Sequence, residues 1–381
     1  MSRSRNRFTV SRRHFIAGSC AAVALPRVAY GKALYPAERI APILMVGFDG
    51  TSSDADGAQQ LAELIAEDKV GGVCFIYKNT ATRAGVEGLT RMFHSAATDW
   101  PLLMAIDQEG GQVQRLSYEL GYGYEPSAIR VATQLDVGAA RATYAAMAIE
   151  MALAGFNLNL APVVDLGFEA RNPAITQLGR SFGADPGTVI KYSRAFLAAH
   201  RDHGVLTALK HFPGHGSTLG DSHDGVVDVT KTWRESELAP YTSLSREDAI
   251  DLVMIGHIAH KDLTGGVPAS LSGDAIGGLL RGRVGFGGVV ITDDLDMTAV
   301  RRTNTLEEAA IRAAAAGNDV LLFTNKDSDP ALALRLIAAI QAGIRDGRIK
   351  AEQVEASVAR IAALKQGLAR MTLTPTGARE L

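Results

Sequence analysis

Eight short apolar runs recur along the chain, at Ile43–Phe48, Gly72–Tyr77, Leu102–Asp107, Leu158–Val164, Thr207–Phe212, Leu252–His257, Gly288–Thr292 and Val320–Thr324. They are apolar nearly throughout and do not alternate with polar residues. That is the pattern of parallel strands buried on both faces. Helical periodicity fills the gaps. Pro186–His203 puts Val189, Tyr192, Phe196 and Ala199 on one face, with Asp185 as cap, Pro186 in the first turn and Gly204 as terminator. Thr305 to Glu308 reads as a capping box, Asp329-Pro330 opens another helix, and Gln353–Arg370 carries Val354, Val358, Ile361, Leu364 and Leu368 at helical spacing. Eight strands with helices between them predict an α/β chain folded as a single-domain (β/α)₈ TIM-type barrel. A doubly wound open sheet is the competing architecture. No linker, internal repeat or low-complexity segment marks off a second globular domain.

The first 31 residues read differently. A basic start leads to Ser11-Arg12-Arg13-His14-Phe15-Ile16, followed by a run of apolar and small residues from Phe15 to Leu25. That run is too short for a bilayer, which takes roughly 20 apolar residues. It suits the core of a signal peptide. The paired arginines resemble a twin-arginine export signal, and Ala29-Tyr30-Gly31 offers a small-x-small cleavage site before Lys32. A basic amphipathic tail is the alternative. We therefore expect a leader over 1–31 and a barrel over 32–375, in a protein exported to the periplasm or secreted, with no stable membrane span once the leader is cleaved. The formal charge of −2 over 381 residues argues against a nucleic-acid partner. Of the two cysteines, Cys20 would leave with the leader, so no disulfide framework is expected.

Polar residues gather where the apolar runs end. The third run leads into Asp107-Gln108-Glu109-Gly110-Gly111, the fifth contains Lys210-His211, the sixth ends at His257 and the seventh leads into Asp293-Asp294. In a barrel the carboxyl ends of the strands converge on one face, and that face carries the chemistry. The densest stretch is Lys210 to His223, with three histidines, a lysine and an aspartate among glycines and a proline. Two chemistries use such an inventory. Glycoside hydrolysis needs a carboxylate beside the anomeric carbon and a proton donor beside the leaving oxygen. Metal-assisted hydrolysis needs histidines and carboxylates around an ion. His211, His215, Asp221 and His223 match no common zinc spacing, and Lys210 would repel a cation, but composition alone leaves both open.

Three stretches add a resemblance. They are Asp107-Gln-Glu-Gly-Gly-Gln-Val-Gln-Arg115, Lys210-His-Phe-Pro-Gly-His-Gly216 with Asp221-Ser-His223, and Thr292-Asp-Asp-Leu-Asp-Met297. Gly179-Arg180-Ser181-Phe182 is a weaker fourth. In this order they resemble glycoside hydrolase family 3, and within it the single-domain β-N-acetylhexosaminidases of cell-wall recycling. The resemblance spans roughly residues 40 to 370. It implies a retaining mechanism with Asp293 as nucleophile, His223 as general acid and base, and Asp221 orienting the His223 ring. It implies that Asp107, Arg115, Arg180, Lys210 and His211 hold the sugar, although Arg115 also reads as a surface ion pair. His257, ending a strand on the same face, is expected to line the pocket. Asp294 is expected to be structural and His215 to brace its loop. Pro213 to Gly220 are expected to form a movable loop with Asp221 and His223 at its tip.

The implied substrate is an amino-sugar oligosaccharide or muropeptide, taken by a monomer with no metal or organic cofactor. Two departures stand out. Gln112 replaces an arginine common in these enzymes, and an export signal is unusual among the recycling members. Three rivals remain at this level. They are a phosphorylase on the same scaffold, a metal-dependent amidohydrolase and a non-catalytic cell-wall-binding protein.

Overall fold

The computed structural model describes residues 34–98, 101–221 and 225–373. The expected leader over 1–31 and His223 lie outside them. Strands β1 (Leu44–Val46), β2 (Gly72–Phe75), β3 (Leu103–Ile106), β4 (Leu158–Asn159), β5 (Leu206–Phe212), β6 (Leu252–Ile255), β7 (Val289–Thr292) and β8 (Leu321–Phe323) coincide with the eight apolar runs. Each of β1 to β6 pairs in parallel with the next, and β1 pairs in parallel with β8. A parallel bridge from Ile291 to Val320 joins β7 to the start of β8. There the Thr292 N–H donates to the Val320 carbonyl at 3.0 Å. The ring is therefore a (β/α)₈ barrel and not an open sheet.

Helices separate the strands: α1 (Asp56–Ala66), α2 (Arg83–Ala96), α3 (Val137–Leu153), α4 (Pro186–Asp202), α5 (Ala239–Arg246), α6 (Asp274–Val284, with π-type hydrogen bonding), α7 (Leu306–Ala316), α8 (Leu332–Arg345) and α9 (Ala351–Leu373). Local chemistry explains their ends. The Thr188 N–H donates to Asp185 Oδ2 at 2.8 Å to start α4. Beyond its last turn Gly204 takes a φ of +71°, open to glycine at low cost. At α7 only half of the capping box forms. Thr305 Oγ1 accepts from the Glu308 N–H at 3.2 Å, while the Glu308 carboxylate turns to Arg348. No helix among the described residues is long and apolar enough to cross a membrane.

The strands divide their side chains by parity, because successive residues face opposite sides of a sheet. Leu103 and Ala105, Leu206 and Ala208, Leu252 and Met254, and Val289 and Ile291 belong to one buried cluster. Met104 and Ile106, Val253 and Ile255 belong to the other, which packs among the helices. The first set points into the barrel, since its member Met254 also floors the pocket at the strand ends.

A long excursion follows β3. Gln108–Gly110 pairs antiparallel with Val113–Gln114, and the Gly111 N–H donates to the Glu125 carbonyl at 2.8 Å. The Glu125 side chain is buried. Burial and the neighbouring Glu150 push its carboxyl up to about 7. A carboxyl raised on folding favours the folded state below its unfolded value of about 4.5, and that advantage disappears as pH rises through 7. Glu125→Gln should thus match wild type in stability at pH 5 and exceed it by roughly 2 kcal/mol at pH 8. Denaturant unfolding at both pH values measures this, and an equal difference at the two would refute it.

Candidate active site

The inward rows end in charge. Leu103 and Ala105 continue to Asp107, Leu206 and Ala208 to Lys210, and Val289 and Ile291 to Asp293. All three polar residues open on one pocket of about 300 Å³. Arg115, Arg180, His211 and Asp221 line the same pocket, with Cys74, Leu160 and Met254 among its apolar walls. Parity alone would turn His211 away from Lys210's side. The β5–β6 register shifts between Leu209 and Phe212, and such an irregularity re-aims side chains. Both Lys210 and His211 therefore face the pocket.

Charges of alternating sign line its wall. Lys210 Nζ donates to Asp107 Oδ1 at 2.7 Å and lies 2.7 Å from Glu109 Oε1. Arg180 grips Glu109 with two parallel bonds, Nε to Oε2 and Nη2 to Oε1, both 2.8 Å. Its Nη1 donates to the Ala174 carbonyl at 2.8 Å. Arg115 Nη2 stands 3.8 Å from Asp107 Oδ2. Burial opposes ionisation of Glu109, but Arg180 and Lys210 outweigh it and hold the carboxyl well below the usual range. Burial likewise works against the Lys210 ammonium, and Asp107 and Glu109 reverse the sign, leaving it raised. At Asp293, burial is overcome by His257 and His211, by the Asp294 N–H on Oδ1 at 2.8 Å and by Lys210. Its carboxylate is held ionised, well below the usual range.

Asp165, just past β4, organises the other wall. It is 1% exposed. Its Oδ2 meets His211 Nδ1 at 2.7 Å, and its Oδ1 accepts from the His211 N–H at 3.1 Å and the His215 N–H at 2.7 Å. The Nδ1 bond leaves Nε2 as the His211 ring's other polar atom. Burial pushes His215 down to about 4 against the pull of Asp165, so its ring is neutral near pH 7. Asn172 Nδ2 donates to the His215 carbonyl at 2.8 Å and to Thr218 Oγ1 at 3.1 Å. From the opposite side Glu237 accepts from Ser217 Oγ at 2.6 Å and from the Gly216 N–H at 3.0 Å. Burial is the main reason its carboxyl is pushed up to about 7.

These bonds revise several expectations. Pro213 to Thr218 are buried and pinned, and exposure begins only at Leu219, so a movable loop over Pro213–Gly220 is not what the structure shows. His257 does not line the pocket. It is fully buried, with Nδ1 2.8 Å from Ser270 Oγ and Nε2 2.8 Å from the Asp294 carbonyl. Two residues past an outward Ile255, it shares the outward parity, and both its nitrogens are occupied bracing β6 to β7. Asp294 accepts from the Thr324 N–H at 2.9 Å and from Thr324 Oγ1 at 2.7 Å, tying the ends of β7 and β8. Among the described residues no three His, Cys, Asp or Glu side chains are grouped as a metal site.

Sequence reasoning missed Glu109, Asp165 and Glu237. Asp165 carried the signal used elsewhere, an acid directly after an apolar run. Glu237 lies in the polar stretch Arg234-Glu-Ser-Glu237 and gave no signal. Glu109→Ala should leave Arg180 with a buried, uncompensated charge and destabilise the fold by about 3–5 kcal/mol. Chemical denaturation tests this, and a loss below about 1 kcal/mol would show that the pair does not hold the wall.

Comparison with known proteins agrees with this geometry. The model of the glycosyl hydrolase family 3 N-terminal domain matches residues 37–364. Beta-hexosaminidase LpqI of Mycobacterium tuberculosis is 35% identical over 341 residues, spanning 87% of this chain and 83% of its own. A beta-hexosaminidase of Xylella fastidiosa is 36% identical over 294 residues, 75% of this chain and 84% of its own. Among solved structures, a family 3 beta-N-acetylglucosaminidase from Paenibacillus sp. superposes with a TM-score of 0.78 at 32% identity. That match covers 92% of this chain and 65% of the Paenibacillus one. The beta-N-acetylhexosaminidase of Beutenbergia cavernae gives 0.77 at 32% identity, covering 88% of this chain and 100% of its own. The pocket of strand-end charges thus sits in a chain that belongs to glycoside hydrolase family 3.

Proposed function

We propose that this protein is an exported exo-β-N-acetylhexosaminidase, removing terminal β-linked N-acetylglucosamine from cell-wall or chitin-type oligosaccharides with retention of configuration. The observation that carries the reading is Asp293. It ends an inward row on β7, opens on the pocket and is held ionised by its surroundings. A carboxylate that stays charged at any working pH suits a nucleophile and disfavours an acid.

In the first half-reaction a carboxylate oxygen of Asp293 bonds to the anomeric carbon as the bond to the leaving oxygen breaks. His223 gives that oxygen its proton. In the second, His223 takes a proton from water, the water oxygen bonds to the anomeric carbon and the bond to Asp293 breaks. Asp221, on the same pocket, orients the His223 ring. Asp107, with one oxygen on Lys210, accepts from sugar hydroxyls, and Arg115 and His211 Nε2 offer further polar contacts. Arg180 acts mainly by holding Glu109. The names of the hexosaminidase relatives support the N-acetylated sugar.

Purified protein should turn over an aryl β-N-acetylglucosaminide and leave the matching β-glucoside nearly untouched, at a rate independent of added phosphate. Asp293→Ala should remain folded and lose turnover by at least about 10³-fold. Mass spectrometry of wild type with a slow substrate should find one sugar on the Asp293 peptide. Wild-type rates in Asp293→Ala, or a requirement for phosphate, would overturn the reading.

A further inference from the structure

Glu237 is a buried carboxylate with no lysine or arginine paired to it among the described residues. Such a group is costly to bury, and an apolar side chain would serve the packing better. Its two bonds go to one place. Ser217 Oγ and the Gly216 N–H are consecutive donors in the segment that leads from β5 to Asp221. The fit is close on every side. Gly214, at φ +126°, has no room for a Cβ because the Glu237 side chain occupies that space. Trp233, from the same stretch as Glu237, donates from Nε1 to the Pro213 carbonyl at 3.1 Å. Thr218 then lies between the segment and its continuation, its Oγ1 3.1 Å from both the His215 and the Gly220 carbonyl oxygens. The next residue, Asp221, lines the pocket.

We propose that Glu237 is a positioning residue for acid catalysis, fixing Gly216 and Ser217 so that Asp221 stands at the pocket in register with the leaving-group oxygen. The proposal rests on the reading of Asp221 and His223 as the proton-transfer pair. Asp293, Asp107 and Lys210 are carried by the strand ends and their own charge array, so Glu237 should govern proton donation and leave sugar binding and nucleophilic attack alone.

The test compares Glu237→Ala, Glu237→Gln and Ser217→Ala with wild type and with His223→Ala on two substrates. One is a dinitrophenyl N-acetylglucosaminide, whose leaving group departs without a proton. The other is an alkyl N-acetylglucosaminide, which needs one. Glu237→Ala should lose about 10²-fold in kcat/KM on the alkyl glycoside and less than about 3-fold in kcat/KM on the dinitrophenyl one. Glu237→Gln, which keeps one acceptor, should recover part of the alkyl rate. Ser217→Ala, which removes a single bond, should show the same split at about a tenth of the size and carries the test if Glu237→Ala does not fold. Equal losses on both substrates, or none in Ser217→Ala and Glu237→Gln, would overturn the proposal. If His223→Ala splits the substrates while these variants do not, only the role of Glu237 falls. If His223→Ala shows no split, the acid–base reading falls with it.

Discussion

A carboxylate removed from water must find donors, and Asp165 finds all of them in the last strand residues and first loop residues after β5. It takes the His211 N–H, the His211 ring and the His215 N–H. Burial alone would neutralise it, and His211 and His215 outweigh that effect. The bonds lock the end of β4 to the end of β5, next to the bridge between Val163 and Lys210. Two consequences follow from this one contact. On one side the bulged end of β5 is held open, so that Lys210 and His211 both reach the pocket. On the other side the chain is started on a buried path through His215 that Asn172 and Glu237 then continue. Without Asp165 neither the charged wall of the pocket nor the root of the loop would have a fixed starting point.

The charge array limits which groups can carry a proton near neutrality. Lys210 sits between Asp107 and Glu109, and Glu109 between Lys210 and Arg180. Each charge is compensated by its neighbours, so the array can stay ionised in a half-buried place without a bulk counterion. The same compensation removes it from acid–base chemistry. Glu109 and Asp293 are held far below neutrality and Lys210 is raised. The proposed mechanism accordingly takes its proton from outside the array, on the segment that carries Asp221. In that mechanism a fixed binding wall and a separately anchored proton carrier are two demands of one reaction, met by different parts of the barrel.

The fold was legible because burial on both faces leaves apolar runs that stand out in a sequence. Asp107, Lys210 and Asp293 were legible for a related reason, each continuing an inward row by one more step of two. His257 shows what is lost by reading position without parity. Counting from Leu252 and Met254 places it on the outward side, where it braces strands. His211 breaks the same count, and the register shift that restores it to the pocket has no counterpart in the residue pattern. Asp165 and Glu109 were in plain view at strand ends, but their partners lie far along the chain. Glu237 is the least legible of all, since a glutamate among polar residues looks like surface until the fold encloses it.

Pinning the loop root also limits what its tip can do. Thr218 is held by Asn172 and His215, and Asp221 follows three residues later. Three residues span at most about 10 Å when fully extended, so Asp221 cannot travel far from a point fixed in the protein interior. In the mechanism proposed above, a group on so short a tether keeps most of the advantage of one mounted on a strand, because little orientational freedom is left to lose when substrate binds.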